Sequence, residues 1–347
     1  MILHQAKVEQ AINSDDRGRF VKELCVARVR GGGGSEVPLA MIRKRSAEES
    51  GTRASVLLIH GYGQNRYAWH LPSRSLANYL AASNFDVYNL DLRGHGRSRH
   101  LGARRPADVS EFVREDIPAA VEEIQRLSGP RPVFLIGHSL GGLVSYAAAP
   151  SLGDAAGGVV SIGSPYHFCR GSWPLTLAGY VMLGLDRRVS LGHGALALKS
   201  WGEVVRLMRV FVESPVFPLP IRGFLPGSME PAVLSQHMSL AMDSGSITVL
   251  RNMFLAAAEA RQSGHRLGGL SGFAEDFEAM DRPLLVIAGT ADDLAPPASV
   301  EPAYERSRSS DKTYRAFPQG HIDLIMGRGA TRIIWPLIER WVTRRAA

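Results

Sequence analysis

The chain has 347 residues, a formal net charge of +7, 45% hydrophobic residues and 21% charged residues. These values are typical of a soluble globular protein with one large domain or two ordinary ones. No nucleic-acid-binding motif accompanies the positive charge, so we expect no nucleic-acid partner and a solvated, arginine-rich face between residues 93 and 105.

The lack of a recognisable secretory signal and the few cysteines predict a cytoplasmic protein. The residues from Met1 to Lys7 lack the basic region and apolar run of a secretory signal. The longest nearly uncharged stretch, Ser172 to Leu185, is shorter than a membrane-spanning helix requires. Cys25 and Cys169 are typical of reduced thiols rather than of a disulfide framework.

The first predicted elements are strands. Segments 21–29 and 37–43 are rich in apolar residues and flank a glycine-rich connection, which predicts two antiparallel strands. Pro38 cannot donate to a ladder, so we expect it at the start or edge of its sheet. Ser55 to Ile59 is almost purely apolar, as expected of a strand covered on both faces.

Strands and helices then alternate, which predicts a parallel sheet with helices on both faces. The predicted elements are a helix over 71–82, a strand over 85–91, a helix over 108–127 with Ser110 as its N-cap, a strand around Phe134, a helix over 143–149 and a strand over 157–164.

The alternation stops after Ser164 and resumes with a strand over 283–289. The intervening chain has helical stretches over 175–185, 202–213 and 247–261 and a proline-rich link over 215–220. We therefore predict an α/β core formed by residues 1–164 and 281–347, with a helical cap inserted at 165–280. The core ends with a helix over 297–307, a strand over 313–317 and a helix over 331–343.

The segment Gly137-His138-Ser139-Leu140-Gly141 joins a predicted strand to a predicted helix. A Gly-x-Ser-x-Gly motif in this context is typical of a nucleophile elbow, which holds a serine hydroxyl on a sharp turn. The two glycines lack Cβ atoms, so strand and helix can approach closely around Ser139.

Further polar residues follow other predicted strands, where ligands bind in a doubly wound sheet. Asp292 and Asp293 follow the strand at Ile287, and His321 follows the strand at Phe317. Nucleophile, carboxylate and histidine thus occur in the order of a hydrolase triad. Asp323 is a further candidate for the acid, although a carboxylate so near His321 in sequence usually points elsewhere.

With these motifs, the chain resembles the α/β-hydrolase superfamily. The resemblance rests on the elbow, His60-Gly61, Asp91-x-Arg93-Gly94-His95-Gly96-x-Ser98, Gly289-x-x-Asp292 with Pro296, and Gly320-His321. It implies a mostly parallel eight-stranded sheet with an inserted helical cap. It also implies Ser139 as nucleophile, His321 as base and Asp292, in preference to Asp293, as the acid. The backbone N–H groups of Tyr62 and Leu140 would form the oxyanion hole.

We expect structural roles for His60, which orders its own loop, for His95 in a tight turn and for His138 beside the elbow. In the predicted cap, His193, His237 and His265 are expected to be surface residues or cap contacts. The spacing of histidines and carboxylates is not that of a metal site, and no organic cofactor is implied.

The predicted cap is strongly apolar at 173–175, 180–183, 217–221 and 224–225. Most of these residues should pack the cap onto the core, while some line an apolar tunnel above Ser139. We therefore expect a small-molecule apolar ester as substrate, and peripheral membrane contact through the cap stays open. The oligomeric state is not predicted.

The favoured hypothesis is a serine hydrolase that cleaves carboxylic esters, or thioesters, of an apolar acyl group through an acyl-serine intermediate. One alternative is an acyltransferase using the same triad. The other is a noncatalytic, hydrolase-like protein that binds a small apolar ligand. An epoxide hydrolase or dehalogenase is disfavoured because those relatives need an Asp where Ser139 stands.

Overall fold

The computed structural model describes residues 1–30, 36–48, 51–189, 192, 194–214, 219–264 and 272–346. Its strands are β1 (Ile2–Asn13), β2 (Asp16–Arg30), β3 (Glu36–Ser46), β4 (Ser55–Ile59), β5 (Asp86–Leu90), β6 (Val133–His138), β7 (Ala156–Ile162), β8 (Ala195–Leu196), β9 (Gly245–Ser246), β10 (Leu284–Gly289) and β11 (Lys312–Phe317).

Helices precede or follow most strands of the sheet. They are α1 (Leu76–Ala82), α2 (Gly96–His100), α3 (Ile117–Ser128), α4 (Leu140–Leu152), α5 (Trp173–Val189), α6 (Leu198–Leu207), α7 (Arg209–Val212), α8 (Pro231–Gln236), α9 (Ile247–Gln262), α10 (Ala274–Ala279), α11 (Pro297–Val300), α12 (Pro302–Arg306), α13 (Asp323–Met326) and α14 (Trp335–Thr343). Within the described ranges, none of them is both long and apolar enough to cross a membrane.

Among the described residues, nine strands form the main sheet, in the order β1-β2-β3-β5-β4-β6-β7-β10-β11. The pairings β1–β2, β2–β3 and β3–β5 are antiparallel, and the other five are parallel. The predicted mostly parallel α/β architecture is therefore confirmed. The predicted number of eight strands is wrong, because β1 adds an edge strand.

Apolar and polar residues are mixed along β1, which explains why this strand was not predicted. Its residues are largely exposed from Ile2 to Glu9, and its sequence has no continuous apolar run. It is held by a long hairpin ladder with β2, from Ile2 opposite Cys25 to Asn13 opposite Asp16. The strand thus depends on its partner's backbone more than on burial of its own side chains.

The central strands separate two hydrophobic cores, one on each face of the sheet. In β4, Leu57 and Ile59 belong to one core, and Val56 and Leu58 belong to the other. Because side chains alternate between the faces of a strand, a strand covered on both sides must be apolar throughout. This confirms the interpretation of the apolar run from Ser55 to Ile59.

One local prediction needs correction. The helix predicted over 71–82 begins only at Leu76, because Leu71 and Arg74 form a turn through reciprocal backbone hydrogen bonds of 2.8 and 3.3 Å. The Ser75 hydroxyl then caps α1 by accepting from the Asn78 N–H. Pro38 lies near the start of β3, before the residues that pair with β5, as expected.

Between β7 and β10 the described chain is mainly helical, and β8 and β9 form a short separate ribbon. The helices predicted over 175–185, 202–213 and 247–261 correspond to α5, to α6 with α7, and to α9. His193, His265 and the Pro215–Pro218 part of the proline-rich link lie outside the described residues. The division of the chain at 164/165 and 280/281 stays a prediction.

Candidate active site

Ser139 occupies the turn between β6 and α4. Its backbone has φ 55° and ψ −122°, a conformation that strains a residue with a side chain. A Cβ at Gly137 would lie 2.3 Å from the Gly141 carbonyl carbon, and one at Gly141 would lie 2.2 Å from the Ile59 oxygen. The motif's glycines are therefore required by close backbone packing, and the strand–turn–helix geometry of an elbow is present.

His321 and Asp292 form a buried pair. The Nδ1 atom of His321 lies 2.7 Å from Asp292 Oδ2, and both side chains are almost fully buried. The other carboxylate oxygen, Oδ1, accepts from the N–H groups of Leu294 at 2.9 Å and Ala295 at 2.8 Å. These bonds fix the carboxylate, which in turn fixes the orientation of the imidazole ring.

The surroundings of His321 favour its protonated form. Burial by itself lowers the pKa of the ring, but the charge and hydrogen bond of Asp292 outweigh burial. With smaller contributions from the charges of Asp293 and Asp323, the pKa of His321 lies above its ordinary value. A ring in this setting can accept a proton from a neighbouring hydroxyl.

The alternative carboxylates bind the chain at 222–228 instead of His321. Asp293 accepts from the N–H groups of Arg222 at 2.6 Å and Gly223 at 3.0 Å. Asp323 accepts from the N–H groups of Leu225 at 2.6 Å and Gly320 at 2.9 Å, and from the Ser228 hydroxyl. Of the three carboxylates, Asp292 is the one that reaches the His321 ring.

Ser139 and His321 line the same cavity, whose volume is about 500 Å³. The Ser139 hydroxyl makes no hydrogen bond to a described residue. The structure thus brings the two residues to one cavity without closing a hydrogen bond between them. Catalytic hydrogen bonds are often long without bound substrate, so this spacing is compatible with a serine–histidine couple.

The loop from His60 to Asn65 lies beside Ser139. A Cβ at Gly61 would be 3.1 Å from the Ser139 Cβ. The backbone N–H of Tyr62 has no acceptor among the described residues. Leu140 is the first residue of α4, so its N–H has no acceptor within the helix, and the helix dipole favours negative charge there.

His60 orders this loop, as expected. Its Nδ1 lies 2.9 Å from the Gly61 oxygen, and its Nε2 accepts from the Leu92 N–H at 3.2 Å. Since the Leu92 amide can only donate, Nδ1 carries the proton. In a trans peptide the N–H points away from the C=O, so holding the Gly61 carbonyl also sets the direction of the Tyr62 N–H.

His138 also has a structural position. It is fully buried, and its ring centroid lies 4.5 Å from that of His321. Its Nε2 lies 3.1 Å from the His321 backbone oxygen. Burial, followed by the charge of His321, lowers the pKa of His138, so the ring is neutral. Its contact with the His321 backbone supports the loop that carries His321.

The cavity wall is mostly apolar, as the predicted tunnel requires. Leu175, Met182, Ile221 and Phe224 of the predicted segments line it. Trp173, Tyr180 and Leu225 are exposed instead, with 71% of Trp173 accessible. The part of the wall formed by α9 and its neighbours was not predicted, although apolar residues at i, i+3 and i+4 were a usable signal: Met238, Met242, Leu250, Met253 and Phe254.

Comparisons with known proteins agree with this geometry. Residues 54–189 match the family described as "alpha/beta hydrolase fold". The chain is 31% identical over 136 residues to the pimeloyl-[acyl-carrier protein] methyl ester esterase of Yersinia pseudotuberculosis, covering 39% of this chain and 46% of that relative. It therefore spans about half the length of the curated relatives that it matches.

Solved structures resemble the chain over a greater length. The monoacylglycerol lipase of Paleococcus ferrophilus is 22% identical, with a TM-score of 0.58 over 88% of this chain and 99% of its own. A thermophilic esterase from Thermogutta terrifontis is 18% identical, with a TM-score of 0.61 over 93% and 99%. At these identities the likeness shows the fold alone.

The family match includes the loop from His60 to Asn65 and the elbow but ends before Asp292 and His321. The assignment of those two residues therefore depends on their geometry and on their positions after β10 and β11. Taken together, the sheet order, the elbow and the matched region show that the chain has an α/β-hydrolase fold.

Proposed function

We propose that the protein is a serine hydrolase that cleaves carboxylic esters, or thioesters, of an apolar acyl group. The observation that carries the proposal is that His321, paired with Asp292, lines the same apolar cavity as the strained Ser139. The names of the relatives, a methyl ester esterase and a monoacylglycerol lipase, support ester chemistry.

In the proposed reaction, Ser139 Oγ attacks the acyl carbonyl carbon while its proton passes to His321 Nε2. The carbonyl π pair moves onto the oxygen, where the N–H groups of Tyr62 and Leu140 stabilise the oxyanion. Collapse breaks the bond to the alcohol or thiol, which leaves with the proton from His321. Water then repeats both steps, releasing the acid and restoring Ser139, while Asp292 stabilises the imidazolium throughout.

The cavity supports an apolar acyl group as the recognised part of the substrate. Its wall is formed mainly by Leu, Met, Phe, Val and Ile side chains, and its volume of about 500 Å³ is in the range of small-molecule sites. Burial of an acyl chain there would contribute about 0.8 kcal/mol per methylene. We therefore expect activity to rise with acyl length until the cavity is filled.

The test is hydrolysis of p-nitrophenyl esters of graded acyl length by purified protein. Ser139→Ala should lower kcat/KM by more than about 10³-fold for every ester. Ser151→Ala is the matched control, because Ser151 lies on α4, the helix that follows Ser139, and is exposed. An Ser139→Ala variant that keeps its activity would exclude Ser139 as the nucleophile.

An acyltransferase with the same triad is a second candidate, since the apolar cavity could also receive an alcohol acceptor. Product analysis with competing alcohols separates the two, because a transferase forms the new ester in preference to the free acid. A noncatalytic binding protein is the third candidate, and labelling of Ser139 by a fluorophosphonate would exclude it.

We also propose that the outer face of the cap contacts a lipid surface. Trp173, Leu177, Val181 and Leu185 recur every fourth residue along α5 and are each at least 46% exposed. They line an apolar groove of about 680 Å³. The groove shares Ala178, Met182, Leu196 and Ile221 with the candidate active-site cavity.

The charge beside the groove suits an anionic lipid surface. Arg187 and Arg188 are exposed in the last turn of α5, next to its apolar face. Apolar side chains flanked by basic residues are typical of helices that lie in a membrane interface. The shared wall would let an ester pass from the lipid surface towards Ser139.

A further inference from the structure

The oxyanion loop, residues 61–65, is bonded along its length to residues 237–246, which we call the cap bridge. The Asn65 N–H donates to the Ala241 oxygen at 3.0 Å, and the Asp243 N–H donates to the Gly63 oxygen at 2.7 Å. The Tyr62 hydroxyl donates to the Ser246 oxygen at 2.9 Å. The loop beside Ser139 is thus shaped by a segment about 175 residues away in sequence.

Gln64 is the link between this contact and the candidate oxyanion hole. Its Oε1 accepts from the Gly61 N–H at 3.1 Å, and its Nε2 lies 3.2 Å from His237 Nε2. Because the Gly61 amide can only donate, the amide orientation of Gln64 is determined, and its NH₂ group faces His237. Gln64 is 6% exposed and lines the cavity.

His237 is suited to accept this bond. It is fully buried, and burial, followed by the charge of His321, lowers its pKa to about 4. The neutral ring accepts at Nε2 and carries its proton on Nδ1, which has no partner among the described residues. Among the described residues, the ring is therefore hydrogen-bonded to the Gln64 amide and not to a second protein group.

These bonds fix the peptide that supplies the Tyr62 N–H from two sides. This peptide joins Gly61 to Tyr62, and His60 is hydrogen-bonded to its carbonyl oxygen, which belongs to Gly61. Gln64 accepts from the Gly61 N–H, which belongs to the preceding peptide. A preorganised donor stabilises an oxyanion more than one that must reorient during the reaction. Loss of either hydrogen bond should therefore reduce transition-state stabilisation more than it reduces substrate binding.

We infer that Gln64 is a positioning residue for the oxyanion hole and that His237 couples it to the cap bridge, so that the cap contributes to transition-state stabilisation. The inference rests on the proposed esterase function. It assigns the cap a role beyond forming the wall of the acyl cavity.

The first test replaces Gln64 by Met, which keeps the length of the side chain but removes both hydrogen bonds. We expect kcat for a soluble p-nitrophenyl ester to fall about 10- to 100-fold while KM changes less than about threefold. Affinity for a boronate that mimics the tetrahedral intermediate should fall in parallel. Gln236→Met is the matched control, because Gln236 joins α8 to Ser73 at 3.1 Å without contacting the oxyanion loop.

The second test compares His237→Gln with His237→Phe, which keeps the experiment informative if Gln64→Met does not fold. Gln retains an acceptor for the Gln64 amide and should keep kcat within about threefold, whereas Phe should lower it about tenfold. Equal kcat values for the two variants would overturn the coupling to the cap. A folded Gln64→Met variant with unchanged kcat would overturn the positioning role, whereas only an active Ser139→Ala variant would overturn the proposed function itself.

Discussion

Asp292 governs the acid–base behaviour proposed for His321. Its carboxylate lies 2.7 Å from Nδ1 and outweighs the effect of burial, so the pKa of His321 is raised. A base must be neutral to accept a proton, and kcat/KM should therefore rise as pH increases through this raised pKa. The position of the acidic limb in the pH profile therefore measures the effect of Asp292 on the pKa of His321.

We predict that Asp292→Asn lowers kcat by about 10³-fold or more, because the ring loses its fixed tautomer and its stabilising charge. The residual activity should have its acidic limb at lower pH, since the pKa of His321 falls without the carboxylate. The measurement is kcat/KM from pH 4 to 9 on a p-nitrophenyl ester.

Asp293→Asn is the control for this prediction. It removes a neighbouring charge but leaves the Asp292 hydrogen bond in place, so kcat should stay within about fivefold, with a smaller shift of the acidic limb in the same direction. If the two variants exchanged these outcomes, Asp293 would be the acid.

Single residues also differ in how far their surroundings can be predicted from the sequence. The positions of Ser139, Asp292 and His321 at strand ends follow from local patterns. In contrast, Arg93, expected on a solvated face, is fully buried, with its Nε 2.6 Å from Asp116 Oδ1 and an Nη 2.6 Å from Glu115 Oε2. Its partners lie more than twenty residues later in sequence, and only the tertiary fold brings these charges together.

At the level of elements, the exposed face of α5 has a measurable consequence. We predict that the protein co-sediments with vesicles of mixed phosphatidylglycerol and phosphatidylcholine. Replacing both Trp173 and Val181 by Ser should weaken binding about tenfold or more, because apolar area is lost from the contact. Raising the salt concentration should weaken binding further by screening the basic residues.

Ile333→Ser provides the control for vesicle binding, because Ile333 is 53% exposed but lies near the C-terminal helix rather than in the cap. It should leave binding unchanged. Equal binding by the wild type and the Trp173/Val181 double variant would exclude α5 as the contact surface.

Elements with a continuous apolar run or a clear helical period were predictable, as β4, β6, β10 and α9 show. The failures have physical causes. The strand β1 is stabilised by its ladder with β2 rather than by burial. The helical chain begins at Ser110, close to the predicted start, but Asp108 rather than Ser110 supplies the capping oxygen, accepting from the Ser110 N–H at 2.7 Å. Neither interaction produces a hydrophobic pattern.

At the scale of the whole molecule, the parallel strands carry the candidate residues to one edge of the sheet, which the order of motifs along the chain made predictable. The contact between the oxyanion loop and the cap bridge was not predictable. Gln64 and His237 are 173 residues apart and join elements of different types, so neither periodicity nor motif spacing reports their hydrogen bond.

In the proposed reaction, the acyl group is transferred to Ser139. The most direct measurement is rapid acid quenching of the protein with a slowly hydrolysed p-nitrophenyl ester, followed by intact-mass and peptide mass spectrometry. We expect one added acyl group, carried by the peptide containing Ser139 and absent from Ser139→Ala. An acyl group on another residue, or turnover by Ser139→Ala at the wild-type rate, would contradict it.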